Sequence, residues 1–253
     1  MIQEYEFRLS RKSETLRGRL ISPDDQPPPY RIVMMLTGDG AKGTKSLSWV
    51  NFPQRLLRVG IASFLFDFEG LGFSGGNRQN LTHTKGIEQF AGALKFLRGQ
   101  RWSNNKRLGV LASSFGASVL LASPKLANSF KAIGLKSPAP FLPDAYVAEI
   151  GVENLDAWAE KGFCEANGYD FEVLLDALKY DGYISAGNIK VPVLITHGTD
   201  DHIVPITQSK YLLQCLAGPK RLEVFAGTGH GYSEGDSWNR MADIFTEWFA
   251  KTL

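Results

Sequence analysis

Residues 107–120 read R-L-G-V-L-A-S-S-F-G-A-S-V-L, an apolar run followed by small and apolar residues at helical spacing. The first half predicts a buried strand and the second half a helix, with Ser114 at the junction. A sharp strand-to-helix turn of this kind exposes a serine side chain at the edge of a sheet, which makes Ser114 a candidate nucleophile. The usual G-x-S-x-G pattern has Ala112 in place of its first glycine. The alternative is a plain strand–helix turn with the serine as N-cap.

Buried strands and helices are predicted to alternate on both sides of this turn. The further predicted strands are 31–37, 61–66, 130–136, 191–196 and 221–225, and the predicted helices are 47–59, 84–100, 207–216 and 238–253. This alternation predicts an α/β fold with a mostly parallel central sheet flanked by helices, and with ligands at the carboxyl ends of the strands. Period-two patterns at 5–9 and 15–21 predict an antiparallel hairpin at one sheet edge.

Residues 138–190 interrupt the alternation. They are rich in aromatic and acidic residues, with helical patterns but no pattern of a buried strand. We expect a small helical insertion, called the lid below, over the carboxyl edge of a core formed by residues 1–137 and 191–253. Its aromatic side chains either line a substrate pocket or hold the lid to the core. They are Phe141, Tyr146, Trp158, Phe163, Tyr169 and Phe171, of which the first four are the pocket candidates.

Two later loops supply the acid and the histidine that a serine nucleophile needs. H-G-T-D-D-H-I-V-P at 197–205 follows one predicted strand, and A-G-T-G-H-G at 226–231 follows the next. Serine, acid and then histidine is the chain order that accompanies this type of turn. His230 can take the Ser114 proton, while an aspartate of the first loop fixes the imidazole tautomer. His197 is expected to support that loop by hydrogen bonds, and His83 to lie at the surface or cap a helix.

These segments together resemble the α/β-hydrolase superfamily over almost the whole chain. T-G-D-G-A-K-G-T-K at 37–45 and F-D-F-E-G-L-G-F-S-G-G at 66–76 are similar to the feruloyl (cinnamoyl) esterase group, as is the end of the lid at 176–192. The resemblance implies Asp201 as the triad acid, through H-G-x-x-D-x-x-V-P, with Asp200 as the alternative. It also implies an oxyanion hole formed by the N–H groups of Asp39 and Phe115, with the Asp39 carboxylate turned away. Many members have His-Gly where this chain has Thr37 and Gly38.

The sequence therefore predicts a serine hydrolase that cleaves a carboxylic ester or thioester through an acyl-enzyme at Ser114. The expected substrate is a small-molecule ester with an apolar acyl or aromatic part, and no metal or other cofactor is expected. The alternatives are a peptidase or amidase of the same fold, and a binding protein that has lost catalysis. A dehalogenase or an epoxide hydrolase would need an acidic residue in place of Ser114.

The composition of the chain limits which binding partners and which cellular compartment are expected. The 253 residues carry 28 basic and 26 acidic side chains, a net charge of +2, so nucleic acid is not an expected partner. No stretch is long and apolar enough to predict a membrane span. The two cysteines, Cys164 and Cys215, are far apart in the sequence, which favours a reducing cytoplasm. The oligomeric state stays open, with a homodimer among the possibilities.

Overall fold

An eight-stranded sheet forms the centre of the computed structural model, which describes residues 1–8 and 15–253. The strands are β1 Ile2–Phe7, β2 Leu16–Ile21, β3 Tyr30–Leu36, β4 Ala62–Asp67, β5 Ser103–Ser114, β6 Ala132–Pro138, β7 Phe163–Cys164, β8 Tyr169–Asp170, β9 Val193–Gly198 and β10 Lys220–Phe225. The eight strands of the central sheet follow the order β1-β2-β4-β3-β5-β6-β9-β10. Strands β4, β3, β5, β6, β9 and β10 run parallel to one another, whereas β2 pairs antiparallel with both β1 and β4.

Helices cover the sheet on both faces. The helices are α1 Leu47–Leu57, α2 His83–Arg98, α3 Phe115–Leu121, α4 Pro124–Ala127, α5 Leu142–Ile150, α6 Leu155–Lys161, α7 Phe171–Ala177, α8 Gly182–Ala186, α9 Ile206–Cys215 and α10 Ser237–Thr252. Short 3₁₀ turns occur at Gly43–Lys45, Arg78–Asn80 and Val152–Asn154. The predicted α/β class, with a mostly parallel sheet between helices, is confirmed.

Strand β3 shows how the two faces are filled. Met34 belongs to the apolar cluster that contains residues of α2, α3 and α9, whereas Val33 and Met35 belong to the cluster of α1 and α10. Successive side chains of a strand point to opposite faces, so a strand buried on both faces must be apolar throughout. The continuous apolar run at 32–36 is therefore the sequence signature of a central strand.

The predicted hairpin is present at the sheet edge, where β1 pairs antiparallel with β2 from Ile2 opposite Ile21 to Phe7 opposite Leu16. Leu9, the predicted end of the first strand, lies outside the described residues. Within residues 1–8 and 15–253, no helix combines the length and apolar character needed to cross a bilayer.

Between β6 and β9 the chain forms helices α5 to α8 and a two-stranded ribbon of β7 and β8. The sequence predicts helical pieces here but not the ribbon. Each ribbon strand has two residues, too few for an alternating pattern to show. Tyr169 in β8 is fully buried, so the ribbon nevertheless contributes to the interior of this segment.

Candidate active site

Four parallel strands end at the same edge of the sheet, and the predicted functional residues follow them. Ser114 ends β5, Asp39 lies in the loop after β3, and Asp201 and His230 lie in the loops after β9 and β10. The carboxyl ends of parallel strands form one edge, so residues far apart in the sequence come together there. The cavity at this edge is lined by Asp39, Ser114 and His230 among others.

Ser114 occupies a strained backbone conformation, with φ 49° and ψ −117°. Non-glycine residues adopt positive φ rarely, and they persist there when the surrounding structure enforces it. The turn at Ser114 is held in this conformation because it packs closely against β3. A Cβ on Gly116 would lie 2.5 Å from the carbonyl oxygen of Thr37, and the Gly116 N–H donates to that oxygen at 3.1 Å. Glycine is required at 116 for this reason, whereas Ala112 fits in the buried strand.

The carboxylate of Asp201 is buried and has four hydrogen-bond donors around it. Oδ2 lies 2.7 Å from His230 Nδ1 and 3.2 Å from His197 Nε2, and Oδ1 accepts from the N–H groups of Ile203 and Val204 at 3.1 and 2.9 Å. Burial by itself would raise the pKa of Asp201, but the hydrogen bonds from both histidines and from Val204, together with the positive charge that His230 carries when protonated, hold it well below its usual range. The carboxylate therefore stays ionised beside His230.

The neighbouring Asp200 has different surroundings. It is exposed, and its carboxylate accepts from Thr199 Oγ1 at 2.7 Å. His197 is fully buried, with Nδ1 2.6 Å from Ser209 Oγ and Nε2 2.8 Å from the Val204 carbonyl oxygen. His197 thus supports the acid loop, as the sequence predicts, and the structure brings Asp201 rather than Asp200 to His230.

A buried lysine contacts the loop that contains His230. Lys136, at the end of β6, donates from Nζ to the carbonyl oxygen of His230 at 2.8 Å, and the same Nζ lies 4.7 Å from the Tyr232 ring centroid. In the described part of the chain, Ser114 Oγ makes no hydrogen bond to His230. Such bonds are often long until a substrate binds. With Nδ1 bound to Asp201, Nε2 is the ring nitrogen left for the serine.

The loop after β3 lies close to Ser114. A Cβ built on Gly38 would lie 3.3 Å from Ser114 Cβ, so this loop passes directly beside the side chain. The N–H of Phe115 is at the first position of α3 and has no partner within the helix. The Asp39 N–H has no hydrogen-bond partner among residues 1–8 and 15–253 either. Both donors are therefore available to a developing oxyanion.

The side chain and the carbonyl oxygen of Asp39 are fixed by hydrogen bonds. Its carboxylate accepts from Tyr169 in β8 at 2.7 Å, and its carbonyl oxygen accepts from Arg78 Nε at 2.6 Å. Arg78 also donates to the carbonyl oxygen of Asn167 at 2.8 Å and lies 4.2 Å from the Tyr169 ring centroid. Burial, followed by the Asp39 charge, raises the pKa of Tyr169 well above its usual value, so its hydroxyl remains a donor. Residues between β6 and β9 thus hold the Asp39 loop.

The cavity beside Ser114 has a volume of about 510 Å³. Its apolar wall includes Trp49, Leu142, Ala145 and Ile203. The hydroxyls of Thr37 and Tyr146 are buried with no hydrogen-bond partner in the described residues, and both residues line this cavity. A substrate in the cavity would meet this apolar surface together with the charged residues Lys42, Arg78 and Glu149, which also line it.

The structure does not bring the four predicted pocket residues together. Tyr146 lines the cavity of Ser114, but Trp158 and Phe163 line a separate cavity of about 380 Å³ within residues 150–166, and Phe141 borders neither. Trp158 is buried against Tyr146 and Phe171 and donates from Nε1 to the carbonyl oxygen of Tyr169. This indole is used to fold the segment itself, so it does not face the serine.

His83 is also placed differently from the sequence expectation. It begins α2 but is 2% exposed, 4.5 Å from the Tyr180 ring centroid and 3.4 Å from Ser118 Oγ through Nε2. Burial lowers its pKa to about 4, despite opposing effects of Ser118 and the Asp176 charge. The surface prediction for His83 is wrong because α3 and Tyr180 cover this helix start.

Trp49, Arg78 and Lys136 are site residues that the sequence analysis does not identify. Trp49 is one apolar residue on an amphipathic helix, and Arg78 lies in a polar loop. Lys136 stands at the end of a strand pattern, where a lysine is ordinarily exposed. No signal in one sequence separates these residues from their neighbours. No group of three or more His, Cys, Asp or Glu side chains suited to a metal ion occurs among the described residues.

Comparison with known families identifies the family of the chain. The sequence model of the prolyl oligopeptidase family matches residues 53–253, a segment that contains Ser114, Asp201 and His230. The chain belongs to the prolyl oligopeptidase family. Its sheet and crossover helices also match solved structures over nearly their full length, which confirms the α/β-hydrolase fold. The chain is thus a hydrolase of that fold.

Individual relatives are distant. A monoacylglycerol lipase of Mycolicibacterium smegmatis is 25% identical, with 79% of this chain and 82% of the relative covered. An uncharacterised 31.7 kDa protein of Escherichia coli is 24% identical over 85% of this chain and 89% of the relative. Est1E from Butyrivibrio proteoclasticus, solved with ferulic acid bound, superposes with a TM-score of 0.84 at 19% identity, covering 96% of this chain and 98% of that chain.

Proposed function

We propose that the protein is a serine esterase that cleaves small carboxylic esters through an acyl-enzyme at Ser114. The observation that carries the proposal is the strained serine and the Asp201-bound His230 bordering one cavity. In this reaction Ser114 Oγ attacks the ester carbonyl while His230 Nε2 takes the hydroxyl proton. The same proton then goes to the departing alcohol, and water activated by His230 releases the acid.

Asp201 and two backbone N–H groups assist these steps. An ionised Asp201 holds the Nδ1–H tautomer of His230 and stabilises the imidazolium formed during attack. The N–H groups of Asp39 and Phe115 donate to the oxyanion, and each such donor is worth roughly 3–4 kcal/mol of transition-state stabilisation. The Asp39 carboxylate accepts a hydrogen bond from Tyr169, which fixes its position. All of these groups belong to the chain itself, so the chemistry uses only side chains, backbone and water.

The substrate class follows from the walls of the cavity and from the relatives. A cavity of about 510 Å³ with Trp49, Leu142 and Ile203 in its wall suits an apolar acyl or aromatic group. One relative is named a monoacylglycerol lipase, and Est1E was solved with ferulic acid, an aromatic carboxylic acid, bound. We place residues 138–190 as the lid in this scheme, because Leu142, Ala145 and Tyr146 contribute to the same wall.

Peptidase or amidase activity is the second candidate, since the family that matches is named for an oligopeptidase. The same triad can cleave amides, but amide hydrolysis also requires protonation of a poorer leaving group. Comparison of p-nitrophenyl esters with p-nitroanilides of the same acyl groups separates the two activities.

The test is hydrolysis of p-nitrophenyl esters of increasing acyl length by the wild type and Ser114→Ala. We expect the wild type to hydrolyse the esters and the Ser114→Ala variant to do so several orders of magnitude more slowly. We also expect the wild type to cleave anilides far more slowly than esters. Equal activity in both proteins would place the nucleophile elsewhere. Faster anilide cleavage would favour the peptidase, and a folded wild type inactive on every ester and anilide would favour a binding protein.

A further inference from the structure

A second cavity of about 160 Å³ adjoins His230 and is lined by residues of α1 and α10. Its wall includes Trp49, Lys136, His230, Trp238 and Met241. Ser46, Trp49 and His230 also line the cavity of Ser114, so the two cavities are adjacent. We call the smaller one the Lys136 cavity. An apolar cavity of about 150 Å³ can hold a benzene molecule, so this space admits a small organic group.

Lys136 gives this cavity an unusual charge. The residue is 9% exposed, and in the described part of the chain no carboxylate lies within 4 Å of its Nζ. The nearby Asp201 carboxylate is already surrounded by His197, His230 and two backbone N–H groups. A buried charge is costly unless it is paired, because burial removes its hydration. The hydrogen bond to the His230 carbonyl oxygen uses one of the three ammonium protons, and Nζ also lies 4.7 Å from the Tyr232 ring centroid.

The ammonium form still predominates at neutral pH. Burial lowers the pKa of Lys136 to about 8, and the Asp201 charge acts in the opposite direction. The Nε1–H of Trp238, another residue of the cavity wall, is buried and has no hydrogen-bond partner among residues 1–8 and 15–253. A cavity with a buried ammonium, an unpartnered indole N–H and apolar walls has the features of a site for a small organic anion.

We propose that the Lys136 cavity is an arm of the active-site cleft that binds a carboxylate of the substrate. The substrate would then be an ester that carries a second, free carboxylate, such as a half-ester of a dicarboxylic acid. This inference rests on the proposed esterase function for its catalytic part, but the binding of the carboxylate does not require hydrolysis. The other role open to Lys136 is to hold the His230 loop, which would affect all esters equally.

The first experiment measures binding without catalysis. Ser114→Ala protein is titrated with butyrate and with butyramide, its neutral counterpart of the same size, by calorimetry at pH 7. We expect butyrate to bind at least about tenfold more tightly, as a hydrogen bond between charged groups replaces a neutral one. Equal affinities, or binding of neither compound, would overturn the proposal. Loss of esterase activity in the wild type would not affect this result.

Variants of the Ser114→Ala protein locate the site. Lys136→Met should remove the preference for butyrate, Lys136→Arg should retain it, and Trp238→Phe should weaken it by several-fold. Lys131→Met is the matched control, because Lys131 is exposed where the chain enters the same strand. A preference that survives Lys136→Met would overturn the proposal. If Lys136→Met does not fold, the arginine and Trp238→Phe variants still decide the question.

Kinetics of the wild type distinguish a substrate carboxylate from a free one. The p-nitrophenyl half-ester of adipic acid is compared with p-nitrophenyl hexanoate, which has the same carbon chain without the acid. We expect a higher kcat/KM for the half-ester, and a drop of about tenfold more for it than for hexanoate in Lys136→Met. An equal drop for both esters would assign Lys136 to the His230 loop alone. Butyrate binding without a half-ester preference would overturn the substrate assignment and leave a site for free carboxylates.

Discussion

Asp200 and Asp201 are adjacent in the chain but differ in what they can do. Asp201 contacts His230 from a buried position, whereas Asp200 is exposed and contacts Thr199. Replacing Asp201 by Asn should lower kcat by about 10³–10⁴-fold, because an amide cannot hold the required imidazole tautomer or stabilise the imidazolium. The measurement is the steady-state hydrolysis of p-nitrophenyl butyrate.

Asp200→Asn is the matched control for this change. It introduces the same amide one residue away, where no contact with His230 exists, and should leave kcat within a factor of about three, the range of surface substitutions. A larger loss at Asp200 than at Asp201 would transfer the acid role to Asp200.

At the scale of elements, the turn from β5 into α3 depends on the closeness of β3. A Cβ on Gly116 would lie 2.5 Å from the Thr37 oxygen and 2.7 Å from the Leu36 oxygen. Gly116→Ala should therefore displace the turn and reduce the free energy of unfolding by about 1–3 kcal/mol, as overpacking does. Urea denaturation measures this change. Gly99→Ala is the control, because its Cβ would meet nothing closer than 3.5 Å, and a loss of stability equal to that of Gly116→Ala would contradict the steric argument.

The lid and the Asp39 loop form a second coupled pair of elements. Tyr169 in β8 donates to the Asp39 carboxylate, and the Asp39 N–H is proposed to bind the oxyanion. Tyr169→Phe should release the carboxylate and lower kcat by about tenfold, corresponding to a hydrogen bond of about 1–2 kcal/mol to a charged group. Ester kinetics at saturating substrate measure it. Tyr211→Phe, on the exposed surface of α9, is the control, and an unchanged kcat in Tyr169→Phe would refute the coupling.

At the scale of the whole molecule, buried His83 links stability to pH. The unfolded chain takes up a proton at this histidine near pH 6.5, whereas the folded protein excludes it down to about pH 4. Stability is therefore lost as the pH falls through this window, by up to about 3 kcal/mol. His83→Gln removes the titrating group, so its free energy of unfolding should decline less between pH 7 and pH 4. Equal declines in the two proteins, measured by urea denaturation, would contradict this assignment.

The sequence was sufficient to predict those parts of the fold that depend on the pattern of neighbouring residues. A strand buried on both faces must be apolar throughout, so β3 and β4 were visible as runs. The sharp turn at Ser114 needs small residues around it, and Gly116 marks it in the sequence. Loops that follow parallel strands meet at one edge, so the order of Ser114, Asp201 and His230 already indicated a common site.

Packing between distant segments could not be predicted in the same way. Trp158 was equally compatible with lining a pocket and with holding the lid together, because both uses bury an indole. Lys136 is buried through contacts with the loop after β10, in which it binds the His230 carbonyl oxygen and faces the Tyr232 ring. His83 is covered by α3 and Tyr180, neither of which is near it in the sequence.

The central claim is that Ser114 is an activated nucleophile. The most direct measurement is labelling with a fluorophosphonate, followed by mass spectrometry of the intact protein and of its peptides. We expect one added phosphonyl group per chain on the peptide that contains Ser114. We also expect no labelling of Ser114→Ala and much slower labelling of His230→Ala, which lacks the base. A folded wild-type protein that is not labelled, or is labelled at another residue, would contradict the account.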